Sequence, residues 1–187
     1  SLSASDITAN IGEASSLGIE VESSLKLGNV FSIDMGFTYN DASYGDDVKY
    51  SPAVASFRCD QTDVCPDDGA VGGNQLARTS KVQANIGFNA HKALDNGWLL
   101  SGRIDANYQS KQFITPLNLA WVPDRTVWNA SINALDSNDR WEFNIHAKNM
   151  FNEDAAANAF HIGVFNQYLV GKLAGPTYGL STKYNFF

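Results

Sequence analysis

The residues best suited to chemistry are few and scattered. His91, His146 and His161 lie far apart, and none has a Ser or Cys partner at a spacing that would make a nucleophile and its base. Cys59 and Cys65 stand six positions apart in an acidic stretch containing Pro and Gly. A disulfide pinning a loop in an oxidising compartment is the favoured reading, and two free thiols are the alternative. With no His nearby the pair cannot complete a tetrahedral zinc site. Asp60, Asp63, Asp67 and Asp68 surround the cysteines, but their spacing is not that of an Asp-x-Asp-x-Asp-Gly cation loop. A solvated loop fits them better. The sequence thus points to no catalytic residue, no resident cofactor and no metal site.

A different chemistry is available to two aromatic- and amide-rich stretches. One holds Phe113, Asn118 and Trp121; the other holds Phe160, His161, Phe165, Asn166, Gln167 and Tyr168. Rings that stack beside amides that hydrogen-bond suit a small polar ligand, although the same residues also serve to pack loop against loop. Arg103 and Asp105 share a face about 7 Å apart along a strand. With Glu142 and Lys148 they read as a lattice of ion pairs along a wall rather than a substrate path.

The elements that carry these residues follow from a period-two pattern. Phe31, Ile33, Met35, Phe37 and Tyr39 alternate with Ser32, Asp34, Gly36, Thr38 and Asn40. The same alternation recurs over 81–90, 98–109, 128–134, 141–148 and 178–186. Residues 5–28 keep one parity throughout and read as a single long strand, bulged near Gly12. The total is about seven strands. Charges fall almost wholly on one face, and the other is apolar with aromatics near strand ends (Phe31, Tyr39, Trp98, Tyr108, Trp128, Trp141, Tyr178, Tyr184). Aromatic rings bordering an apolar band suit a membrane interface.

Composition and loop lengths narrow the class. The chain has 187 residues and a net charge of −7, with no Lys/Arg cluster to neutralise phosphates, which argues against nucleic acid. No stretch approaches the roughly 18 apolar residues of a spanning helix, but a spanning strand needs only about 9–11 alternating ones. No signal peptide opens the sequence, so a secreted chain of this kind implies processing or further sequence upstream. Short links at Gly28-Asn29, Asp95–Gly97 and Ser137–Asp139 take turns with long ones at 45–80, 111–124 and 152–175. A soluble sandwich, which also alternates, has no reason to sort its loops by parity. An outer-membrane barrel does, with turns on the periplasmic side and loops outside.

Several segments resemble the TonB-dependent receptors of Gram-negative outer membranes. The stretch Asn10–Glu22 is similar to a strand in which small residues precede Gly-(Val/Ile)-Glu. Gly73-Asn74-Gln75-Leu76 followed by Lys81-Val82-Gln83 resembles the re-entry from a long external loop. Trp141–Asp154 is similar to the penultimate strand with its Lys/Arg-Asn-Leu-Phe-Asn ending, Met150 standing for Leu. Pro176–Phe187 resembles the terminal strand, whose alternating aromatics end at Phe186 and leave Phe187 as an extra residue.

The resemblance implies an all-β fold: an antiparallel transmembrane barrel of about 22 strands with a plugged lumen, of which residues 1–187 would be the C-terminal strands. The plug is not in this chain. It also implies import of a scarce ligand across the outer membrane, an iron-siderophore by default, or an oligosaccharide or vitamin. Phe113, Asn118, Trp121, Phe165, Gln167 and Tyr168 would contact that ligand from the outside. The implied partners are outer-membrane lipid, an energy-coupling inner-membrane protein acting through the plug, and the barrel-assembly machinery. Tyr184, Phe186 and Phe187 would serve that machinery as the assembly signal. An open sheet edge in lipid leaves backbone groups unpaired at several kcal/mol each, so upstream strands are expected to complete the wall. The rival is a complete small barrel of about eight strands with a structural or adhesive role, residues 1–11 forming a separate strand.

Overall fold

The computed structural model describes residues 12–49, 69–162 and 167–186. Eleven strands are present among them, and no helix. In chain order they are β1 (Ala14–Leu27), β2 (Phe31–Tyr44), β3 (Val82–Ala93), β4 (Leu99–Gln109), β5 (Gln112–Phe113), β6 (Trp121–Val122), β7 (Arg125–Leu135), β8 (Trp141–Lys148), β9 (Ala156–Ile162), β10 (Gln167–Lys172) and β11 (Thr177–Tyr184). Seven form one antiparallel sheet in the order β1-β2-β3-β4-β7-β8-β11, while β5/β6 and β9/β10 are separate hairpins inside long connections. The seven strands of the main sheet and the alternation of short and long links agree with the sequence. The two hairpins were not visible in it.

The β1 strand starts at Ala14, preceded by Gly12 with φ of 115°. Of the long strand expected over 5–28, β1 forms the part from Ala14 onward, and the part before Gly12 lies outside the described residues, as does residue 187. The proposed disulfide Cys59–Cys65 and the acidic residues around it lie outside them too.

Register follows from the pairing of faces. Val21 opposes Phe37, Phe37 opposes Ala84, Ala84 opposes Tyr108, and Ala106 opposes Trp128. Farther along, Ile132 opposes Ile145, which opposes Leu180. Every apolar set read from the sequence falls on the same side of one sheet. A slip of one residue at any strand would have broken that.

Tight turns fix the register from one end. Gly28 (φ 70°) and Gly97 (φ 83°) supply left-handed backbone at two of them. At the third, the Asp136 carboxylate accepts from the backbone N–H of Arg140 (2.6 Å) and Trp141 (2.9 Å).

Among the described residues the sheet is a single layer, with nothing packed over its apolar face. Leu17 is 81% exposed, Leu180 72% and Tyr178 70%. An apolar area of that extent requires an apolar environment. At the tight-turn end of this face, Trp98 stacks on Phe143 (6.1 Å between centroids), Phe143 on Trp141 (5.9 Å), and Trp141 meets Tyr184 (4.6 Å). Tyr184 meets Phe186 edge-on at 4.9 Å. Toward the other end, Trp128 meets Phe151 edge-on at 5.9 Å. The chain's one cluster of buried apolar side chains among the described residues (Tyr44, Val48, Val71 and Leu117, with Leu76 and Leu119 against it) is in the long connections.

Candidate ligand-binding site

The polar face of the sheet carries a hydrogen-bonded lattice across β1, β2, β3, β4 and β7. Arg103 reaches Asp34 Oδ2 at 3.1 Å, the Asn89 side-chain oxygen at 2.7 Å and Asp105 Oδ1 at 3.3 Å. Asn89 donates to Asp34 (2.7 Å), and so does the Ser24 hydroxyl (2.9 Å). Asp105 Oδ2 accepts from Asn107 (2.8 Å) and Asn129 (3.0 Å). Gly87 makes this possible: the Arg103 guanidinium lies where a side chain at 87 would begin. The expectation of a wall lattice through Arg103 and Asp105 agrees with this, but Glu142 and Lys148 are not its members. Both stand on β8, two strands beyond β4. Amides and Asp34 fill the places expected for them.

His146 also lies on the polar face, its Nδ1 3.2 Å from the Asn144 side-chain oxygen and its ring over Gly179. His91 is exposed near the end of β3. Neither has a nucleophile beside it among the described hydrogen bonds.

The long connections are built structures. The 45–81 connection folds back on β2: Tyr44 N–H donates to Asn74 O (3.0 Å), Gly73 N–H to Tyr44 O (3.0 Å), and Val71 N–H to Val48 O (3.0 Å). The 110–124 connection docks on it, with Arg78 N–H donating to Phe113 O (2.7 Å) and the Asn74 amide to Pro116 O (2.9 Å). At the exit, Lys81 pairs with Asp41 at 2.7 Å, and that hydrogen bond holds the ammonium above its ordinary pKa.

Between the β5/β6 hairpin and β9 lies a recess of about 200 Å³, lined by Arg78, Gln112, Phe113, Ile114, Val122, Asn158, Ala159 and Phe160. Phe113 and Trp121 oppose each other across the hairpin and meet edge-on at 6.5 Å. Lys111 Nζ stands 4.9 Å from the Phe113 ring centre and 5.8 Å from that of Trp121. Arg78 stacks 5.0 Å over Phe160. Cations over ring faces, beside amides, suit an anionic ligand with planar groups.

The six residues singled out from the sequence divide. Phe113 lines the recess, and Trp121, 54% exposed, flanks it. Asn118 has a different task. Its backbone is left-handed (φ 56°), and its amide pairs with the Gln75 backbone, accepting from N–H at 2.8 Å and donating to O at 3.1 Å. That is loop-to-loop packing, to which Asn is suited by its tolerance of that backbone. Gln167 and Tyr168 stand on β10, outside the recess lining, and Phe165 lies outside the described residues. Arg78, Lys111 and Asn158 went unrecognised. A lone basic residue in a loop gives no pattern, and only the fold brings these close to aromatic rings.

Comparison with known proteins agrees with this architecture. A family model described as TonB dependent receptor-like, beta-barrel matches residues 2–150. No sequence relative is found among curated proteins. Among solved structures, the chain is similar to the ferric yersiniabactin uptake receptor FyuA from Yersinia pestis, with a TM-score of 0.75 and 16% identity over 95% of this chain and 24% of that one. It is also similar to the siderophore receptor PiuA from Acinetobacter baumannii (TM-score 0.69, 20% identity, 92% of this chain and 22% of that one). The ferric preacinetobactin receptor BauA from Acinetobacter baumannii gives a TM-score of 0.57 at 19% identity, over 91% of this chain and 26% of that one. The chain thus spans about a quarter of the length of these structures.

Proposed function

The chain belongs to the TonB dependent receptor-like β-barrel family, and from that premise we propose that it is the C-terminal wall and part of the outer surface of an outer-membrane receptor. That receptor imports a scarce ligand, a ferric siderophore. The observation that carries the reading is the two-faced single sheet: one face apolar and bordered by stacked aromatics, the other a hydrogen-bonded polar lattice. Lipid on one side and a polar barrel interior on the other account for both. Among the described residues, strands β1 and β11 each have a sheet partner on one side only. In lipid such edges need strands from elsewhere in a larger barrel. The 24% of FyuA that aligns with this chain supports the same inference.

In this reading the polar lattice faces a plug domain, which links the barrel to the energy-coupling protein of the inner membrane. Tyr184 and Phe186 at the tight-turn end, with Phe187 next in the sequence, address the barrel-assembly machinery. The ligand approaches from the long-connection end, where the recess beside Phe113 offers cations over aromatic rings. One of the three solved structures above is named a siderophore receptor and the other two are named receptors for ferric yersiniabactin and ferric preacinetobactin, which favours an iron-carrying ligand over an oligosaccharide or a vitamin.

Deleting the gene for the full-length receptor should abolish radio-iron uptake from one ferric siderophore in an iron-starved panel. Undiminished uptake of every siderophore, with loss of a sugar or cobalamin instead, would move the assignment. In the intact receptor, Phe113→Ala and Trp121→Ala should each raise the half-saturating ligand concentration by about five- to tenfold, the scale of a lost aromatic contact. If both variants transport as the parent does, the recess is not the ligand site.

A further inference from the structure

Among the described residues the β9/β10 hairpin forms no ladder with the seven-stranded sheet, so side chains must set its stance. The one that reaches both of its stems is Asn149. This residue follows β8 with left-handed backbone (φ 49°), and its side chain is buried, 6% exposed. Its amide nitrogen donates to Glu153 O (3.1 Å) on the way into the hairpin and to Ala174 O (3.0 Å) on the way out. Its amide oxygen accepts from Glu153 N–H at 2.7 Å. One side chain therefore closes both stems of the hairpin.

The same residue is tied inward. Asn149 N–H donates to the Asn129 side-chain oxygen (3.2 Å), and the Asn129 amide donates to Asp105 Oδ2 (3.0 Å), which shares its carboxylate with Arg103. An unbroken series of hydrogen bonds thus runs from the middle of the polar face to the base of an external hairpin. The hairpin in turn brings Asn158 and Phe160 to the recess.

We propose that Asn149 is the positioning residue through which the polar wall of the barrel holds the β9/β10 hairpin, so that a disturbance of the Asp105–Asn129 part of the lattice is transmitted to the recess. The proposal rests on the receptor reading for its meaning, but its test needs no ligand. Two other ties reach the hairpin base: the part-buried Arg125 of β7 donates to Ala156 O (2.8 Å) and Ala157 O (3.1 Å) on the entering strand alone, and the Lys172–Asp154 pair at 2.9 Å is exposed and contributes little. Asn149 is buried, and removing its donors strands two carbonyls.

Hydrogen exchange, followed by mass spectrometry on the full-length receptor in lipid vesicles without ligand, reads the hairpin directly. Asn149→Asp keeps the shape and the tolerance of left-handed backbone but replaces the donor with an acceptor. It should speed exchange at 156–162 and 167–172 by about tenfold or more while β8 and β11 stay as in the parent. Asn149→Gly, free of backbone strain, should do the same. Asn129→Ala, which cuts the inward tie alone, should speed the hairpin by about threefold, and Lys172→Ala should stay within about twofold. Hairpin exchange within about twofold of the parent in Asn149→Asp, or equal loosening by Lys172→Ala, would overturn the clamp. A change confined to β4 and β7 in Asn129→Ala would overturn transmission from the wall.

Discussion

Ile145→Arg in the full-length receptor is expected to lower stability by about 2–4 kcal/mol, the cost of an arginine on the lipid side near the bilayer midplane. Its neighbour Asn144→Arg should cost almost nothing. Ile145 sits halfway along β8, opposite Ile132 on one side and Leu180 on the other, and is 59% exposed. Among the described residues no protein group covers it, and in the proposed barrel lipid does. Asn144 is the next residue, turned to the other face, where its side chain meets only the His146 ring at 3.2 Å among the described hydrogen bonds. Denaturant midpoints of the two variants in detergent or vesicles, with their abundance in the outer membrane, measure the difference. Equal losses from both would mean that the faces have been assigned wrongly, since no other property separates these adjacent positions so sharply.

That contrast rests on the part of the fold that was legible in the sequence. In a barrel wall each strand separates two unlike media, so parity records which medium each residue meets, and Phe31–Tyr39 or Trp141–Ala147 can be read without knowing the partner strand. The turns were legible for a second reason. Gly28, Gly97 and the Asp136–Asp139 turn are local devices, each satisfied within a few residues of itself. β9 and β10 escaped because Ala156–Ile162 and Gln167–Lys172 have no two-sided environment to impose a period. They pair with each other and, among the described residues, have no strand partner in the main sheet.

The candidate site was legible only in part, and the physical reason differs from residue to residue. Phe113 and Trp121 are aromatic residues flanking a short hairpin, a local feature. Arg78, 35 positions before Phe113, donates its backbone N–H to the Phe113 carbonyl, and its side chain then reaches Phe160. No spacing rule connects those three positions. An amide in a loop such as Asn118 suits ligand binding and backbone pairing equally well, and neither its left-handed φ nor its place beside the Gln75 backbone can be read from residue type alone. The same ambiguity hid Asn149, whose place in a family-like ending gave no hint that its side chain closes a hairpin.

The loops hold together through a core of their own, and its weakest point is a glycine. Gly72→Ala is expected to destabilise the external connections by about 2–3 kcal/mol, an overpacking cost, and to abolish ligand uptake while leaving the barrel intact. A β-carbon at this position would fall on the Asp46 carbonyl and against its Cα. Both are backbone atoms in a turn that Val48 N–H closes on Gly45 O at 3.1 Å, so neither can swing aside as a side chain would. Relief requires the 70–74 segment to lift from β2. Val71, 1% exposed and the most deeply buried large side chain described, would leave Val48 and Leu117, and the 110–124 connection would lose its platform. Phe113 goes with it. Two other glycines calibrate the expectation. Gly73 has nothing within 4 Å but a φ of 72°, so Gly73→Ala should cost about 1 kcal/mol from backbone strain alone. Gly175 has neither crowding nor a left-handed backbone, and Gly175→Ala should be neutral. Limited proteolysis of intact cells reads cleavage in the long connections, and uptake of the proposed ligand reads the site. The expected order of damage is Gly72, then Gly73, then Gly175. If Gly72→Ala resists protease as Gly175→Ala does, the loops do not depend on this core, and the recess must be held by the sheet beneath it.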